Sequence, residues 1–162
     1  MLNKKASCWT ILYATLSVLI ICFIFGNSLK DGTESSLQSA RVAEILRQIL
    51  DPGRKIEEGL FHFYVRKAAH FTEFAALGCC LNGTAVSLRK QRNHLDFLKP
   101  LFIAVSVAMT DEFIQRFTGR TSSVRDVMLD SLGALFGILV VSVSVFLWRK
   151  RDNSGNNQLE LP

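Results

Sequence analysis

The chain has 162 residues, about the size of one domain, with 49% hydrophobic residues, 20% charged residues and a formal net charge of +5. Its mean hydropathy of +0.24 is positive despite those charges, so the charges must be segregated from apolar runs. The basic residues flank such runs, which points to a membrane rather than to nucleic acid. Cys8, Cys22, Cys79 and Cys80 lie inside apolar segments at no metal-ligand spacing, so neither a disulfide framework nor a cysteine metal site is expected.

Four apolar runs follow one another along the chain. They are expected to cross the bilayer at about residues 9–25, 68–88, 97–113 and 127–148. Each approaches or exceeds the roughly 20 residues that a helix needs to span hydrocarbon. The first follows Lys4 and Lys5 but is long for a signal-peptide core. No small-x-small cleavage site follows Phe25, so this run is expected to stay as an anchor. The expected fold is all-α, an integral membrane bundle of four transmembrane helices within residues 1–150. Residues 151–162 read as a polar, disordered tail on the cytoplasmic side.

Between the first and second runs, "ARVAEILRQIL" places Val42, Ile45, Leu46, Ile49 and Leu50 at helical spacing. This predicts a short amphipathic helix on the outer interface, ended by "DPG" at residues 51–53. Orientation follows from the flanks. Lys4, Lys5, Arg89, Lys90, Arg92, Lys99, Arg149, Lys150 and Arg151 share one side, faced only by Asp96, Asp152 and Glu160. That side should be cytoplasmic, with both termini inside.

With that topology, charges remote in sequence share one outer depth. The second helix brings Arg66, Lys67, His70 and Glu73. The third brings Asp111, Glu112 and Gln115. The following turn carries Arg116, Arg120 and Arg125, and the fourth helix starts with Asp126 and Asp130. Arg66, His70, Glu73 and Leu77 share one helical face, as do Asp111 and Gln115, and as do Asp126, Asp130, Gly133 and Gly137. The two glycines form a small-residue strip suited to close packing, within or between chains. A carboxylate turned to lipid would cost about 2.5 kcal/mol or more, so these faces should turn inward around a cleft.

"RKAAHFTEFAALG" and, some forty residues on, "DEFIQRFTGRTSSVRDVMLDSLGALFG" resemble the VanZ-like family of bacterial membrane proteins, named for teicoplanin resistance. "IFGNSLKDGTESS" is similar to that family's first polar segment. The resemblance spans about residues 20–140. It implies motif residues at Ser28, Arg66, Lys67, His70, Glu73, Asp111, Glu112, Gln115, Arg120 and Asp126. Lys30 and Ile114 depart from that pattern, and "FTGR" lacks a proline that the family commonly carries.

Two functional readings and a bland one follow. In the first, Ser28, Arg66, Lys67, Gln115, Arg120 and Asp126 bind an anionic cell-wall lipid intermediate or a lipoglycopeptide such as teicoplanin at the outer leaflet. In the second, His70, Glu73, Asp111 and Glu112 serve as acids and bases of a hydrolase or transferase acting on an envelope lipid. In the third, the charges only hold the helices in register. No cofactor motif is present. No metal is expected, because the cluster has one histidine and Arg66 and Lys67 would repel a cation. His62 and His94 read as solvated or interfacial. Trp9, Tyr13 and Trp148 read as interface anchors. Oligomeric state is left open.

Overall fold

The computed structural model describes residues 4–88, 97–120 and 122–156. Five helices follow in order: α1 (Lys4–Ser28), α2 (Gly32–Leu50), α3 (Glu58–Leu88), α4 (Leu98–Phe117) and α5 (Val124–Asn156). Among the described residues there is no strand. Three helices carry stretches long and apolar enough to cross a membrane, Cys8–Ser28, Glu58–Leu88 and Val124–Arg151. The fourth expected span is the 20-residue α4. It packs among the other three, but Lys99, Asp111, Glu112 and Arg116 keep its composition outside that class.

Helix boundaries exceed the apolar runs at several ends. α3 begins at Glu58 rather than near residue 68, because its first turns are satisfied by packing on the bundle: Phe61 is buried and Phe63 carries Lys67 over its ring. α5 continues helically through Asn156, into the stretch expected to be disordered. Arg89, Lys90, Arg92, His94, Asp96 and residues 157–162 lie outside the described residues.

The amphipathic segment is a 19-residue helix, longer than its apolar pattern suggested. Asp31 caps it, accepting a hydrogen bond from the Thr33 amide at 3.0 Å. Pro52 drives Asp51 out of the helical region and ends it. Ala43 and Arg47 face the protein, whereas Val42, Ile45, Ile49 and Leu50 are exposed. The apolar stripe thus points away from the bundle, as a helix lying on a bilayer surface requires. Arg47 donates to the Ile56 carbonyl at 2.5 Å and lies 5.6 Å from the centre of the Phe61 ring, anchoring α2 to α3. Asp51 accepts from the amides of Ile56 at 3.0 Å and Lys55 at 2.9 Å. Those hydrogen bonds hold its carboxyl below the usual range.

The tightest pairing joins α3 and α5. A Cβ on Gly78 would strike the Ala134 carbonyl; one on Gly133 would strike that of Phe71, and one on Gly137 that of Ala75. The glycine strip therefore packs within the chain, and the backbones approach closely because no side chain separates them. Asn82 reinforces the seam through the Ile138 carbonyl at 2.8 Å and Ser142 Oγ at 3.0 Å. Ile24, Phe74, Leu77, Ala104, Val107, Ala108 and Ala134 form the core that joins all four long helices. Large apolar side chains such as Phe23, Phe102, Phe136 and Phe146 face outward, as lipid-facing residues do.

Gly137→Ala should lower stability by about 1–3 kcal/mol through overpacking against the Ala75 carbonyl. Gly26→Ala, with nothing within 4 Å of the added carbon, should leave stability unchanged or raise it. Thermal unfolding of both purified variants in one detergent checks the contrast.

Candidate functional site

Ser28 ends α1, and Asp111 and Gln115 lie one turn apart near the end of α4. All three are buried. The Ser28 hydroxyl donates to Asp111 Oδ1, and Gln115 Nε2 donates to Asp111 Oδ2 at 2.7 Å. Neighbouring groups stitch the same two helix ends together. Thr118 Oγ1 donates to the Ser28 carbonyl at 3.0 Å, and the Gly32 amide donates to the Thr118 carbonyl at 3.3 Å. α1 thus ends against α4, and the open carbonyls of its last turn gain donors there.

The adjoining corner joins α3 to α5. Lys67 pairs with Asp126, both about one-fifth exposed. One turn along each helix, His70 Nδ1 lies 3.7 Å from Asp130 Oδ1. Glu112 ties α4 to the start of α5, accepting from the Ser123 amide at 2.9 Å. Its other oxygen, Oε1, is buried without a hydrogen-bond partner, as are His70 Nδ1 and both oxygens of Asp130. Glu73 is half-buried on the same face as His70 and makes no hydrogen bond among the described residues.

Beside this interior cluster opens a groove of about 950 Å³ between the start of α2, the start of α3 and the α4–α5 turn. Arg66 and Arg120 line it, with His62 and the Gly32–Thr33 backbone. Neither arginine makes an ion pair among the described residues. Arg120 reaches only the Asn27 carbonyl, at 3.4 Å. Burial, and then the charge of Arg66, push the Arg120 guanidinium below its ordinary value, against the pull of Asp111, Glu112 and Glu73. Asp31 shares the groove wall, but its carboxylate is held by the Thr33 amide.

The ten residues singled out in the sequence therefore gather at one end of the bundle, in different environments. Arg66 and Arg120 face the groove. Ser28, Gln115, Asp111 and Glu112 are buried behind it, and Lys67 and Asp126 engage one another. Arg116 and Arg125, counted with the cluster in the sequence, are exposed. The sequence reading set His62 outside the cluster, and counted Asp130 within it but gave it no role. His62 lines the groove one helical turn before Arg66, a spacing that could have signalled it. Asp130 is fully buried among the charged groups, one turn after Asp126.

Among the described residues one triad could hold a metal: His70, Asp111 and Asp130 each offer a ligand atom, and these atoms lie within 4.8 Å of one another.

The VanZ/LLP1 family model matches residues 11–147. The chain belongs to the VanZ/LLP1 family. In this VanZ/LLP1 protein the match takes in α2, α3 and α4 whole and all but the far ends of α1 and α5, and so every candidate site residue. No curated protein and no solved structure matches the chain.

A double-mutant cycle on Lys67→Met and Asp126→Asn should give a coupling of about 1 kcal/mol, since the pair is partly desolvated yet reached by water. Thermal unfolding of the two single variants and the double variant in detergent measures it.

Proposed function

We propose that this VanZ/LLP1 protein binds the phosphate-bearing headgroup of an anionic envelope lipid, or a lipoglycopeptide such as teicoplanin, in the groove between Arg66 and Arg120. The observation that carries this reading is two arginines lining one cavity with no carboxylate partner among the described residues. Like charges side by side are unfavourable in the free protein, and an anion between them removes that penalty while accepting hydrogen bonds from both guanidinium groups. The groove lies next to the exposed apolar stripe of α2, so a lipid tail would stay in the bilayer while its head entered.

The reading includes a topology. α4 crosses the membrane together with α1, α3 and α5, its charged end sheltered by Ser28, Gln115 and the α5 start. The groove then opens at the outer face of a bacterial plasma membrane, with both termini inside. The basic residues support this orientation: Lys4, Lys5, Lys99, Arg149, Lys150 and Arg151 all lie at helix ends opposite the groove.

Hydrogen bonds to charged groups contribute about 1.5–3 kcal/mol, so Arg66→Gln or Arg120→Gln should each weaken anion binding about tenfold or more. The check is native mass spectrometry in detergent. It uses a polyprenyl pyrophosphate, dioleoyl phosphatidylglycerol and teicoplanin as ligands, with dioleoyl phosphatidylcholine for comparison. Binding of one of the first three above the phosphatidylcholine level, reduced in both arginine variants, is the expected result. Equal retention of all four, or arginine variants that bind as well as the parent, would overturn the reading.

A further inference from the structure

We infer that His70, Asp111 and Asp130 form a binding site for a divalent transition-metal ion, of the Zn²⁺ or Mn²⁺ class, in the interior of the bundle behind the groove. The donors come from three helices, α3, α4 and α5, and their ligand atoms lie within 4.8 Å of one another. His70 Nδ1 and Asp130 Oδ1, 3.7 Å apart, are already close to the separation that two ligands of one small cation adopt. Mixed imidazole and carboxylate donors suit zinc and manganese, with water completing the shell.

Asp130 points independently to a ligand. It is fully buried, and among the described residues neither of its oxygens has a hydrogen-bond partner; His70 Nδ1 beside it has none either. A buried carboxylate without donors is strongly disfavoured, and a cation is the partner that would satisfy two oxygens and an imidazole nitrogen at once. Asp111 is prepared differently. Ser28 and Gln115 fix its carboxylate from behind, as groups supporting a metal ligand do.

Charge balance agrees. The sequence argued against a metal by setting Arg66 and Lys67 against a lone histidine. Folding pairs Lys67 with Asp126 and turns Arg116 and Arg125 to the exterior. Glu73, Asp111, Glu112, Asp126 and Asp130 remain against Arg66, Lys67 and Arg120. Acidic side chains thus outnumber cationic ones around the three donors, a setting that favours a bound cation. The inference stands apart from the lipid reading, because none of the three ligands lines the groove.

The test uses the full chain without a histidine tag, purified in detergent, stripped with EDTA and dialysed against micromolar Zn²⁺ or Mn²⁺. Metal per chain is then measured by inductively coupled plasma mass spectrometry, without any lipid added. Close to one ion per chain is expected for the parent and for the surface control Glu44→Gln. Less than one-tenth is expected for Asp130→Asn and for His70→Gln. Ser28→Ala, which removes an orienting hydrogen bond from Asp111, should weaken affinity about tenfold or more. No stoichiometric uptake of either ion by the parent would overturn the inference. Equal uptake by Asp130→Asn would overturn it too, showing an adventitious metal only. Should Asp130→Asn not fold, Co²⁺ titration of the parent decides. Visible d–d bands saturating at one equivalent support the site, and their absence rejects it.

Discussion

A carboxylate cannot be left bare in a low-dielectric interior, and Asp111 is the group around which this bundle meets that constraint. It lies fully buried near the end of α4, so donors must come to it. Ser28 brings the end of α1, and Gln115 contributes from the next turn of α4. Once those two helix ends are joined, the Thr118 and Gly32 contacts fix where α2 begins, and that beginning forms one wall of the groove. The polar end of the fold is thus built outward from one desolvated acid, and Arg120 beside it is placed by the same backbone turn.

The other half of the architecture is apolar and depends on contact distance. α3 and α5 approach until Gly78, Gly133 and Gly137 lie against opposing carbonyls. In lipid, with no hydrophobic drive between helices, such close van der Waals packing and the Asn82 bridge are what hold a pair together. The seam also has a consequence for the polar end. It fixes the relative height of α3 and α5, which sets Lys67 opposite Asp126 and His70 opposite Asp130. Stability and site geometry therefore share a cause: a slip of one turn along the glycine strip would separate both pairs.

Much of this was legible in the sequence, for physical reasons. Uninterrupted apolar runs gave α1, α3 and α5, because crossing hydrocarbon imposes length and composition together. The gathering of Arg66, His70, Asp111 and Asp126 at one end followed from counting flanking charges. The Gly133/Gly137 strip was visible, although its partner was not, since the strip does not state which helix it will meet. The run at about 97–113 was legible as a helix and appears as α4, but Asp111 and Glu112 within its length keep it outside the composition of a membrane span. Two things were hidden. Ser28 and Asp111 stand 83 positions apart, and nothing local to either announces the bond. The separation of groove from interior depends on α2 folding back onto the α4–α5 turn, so Arg66 and Lys67, adjacent in sequence, face different partners. The apolar stripe of α2 was read correctly as a stripe, and only packing shows that it turns away from the protein.

The central claim is that the charged ends of separate helices converge at one corner of one chain. Site-specific crosslinking tests it most directly. Cys8, Cys22, Cys79 and Cys80 are first replaced by alanine, and cysteines are introduced as Lys67→Cys and Asp126→Cys. The protein is then treated in native membranes with a short thiol-specific bifunctional reagent. Convergence predicts rapid formation of an internal crosslink, seen as one bridged adduct on the intact monomer by mass spectrometry. Two singly modified cysteines and no bridged monomer, at reagent concentrations where both positions react, would contradict it.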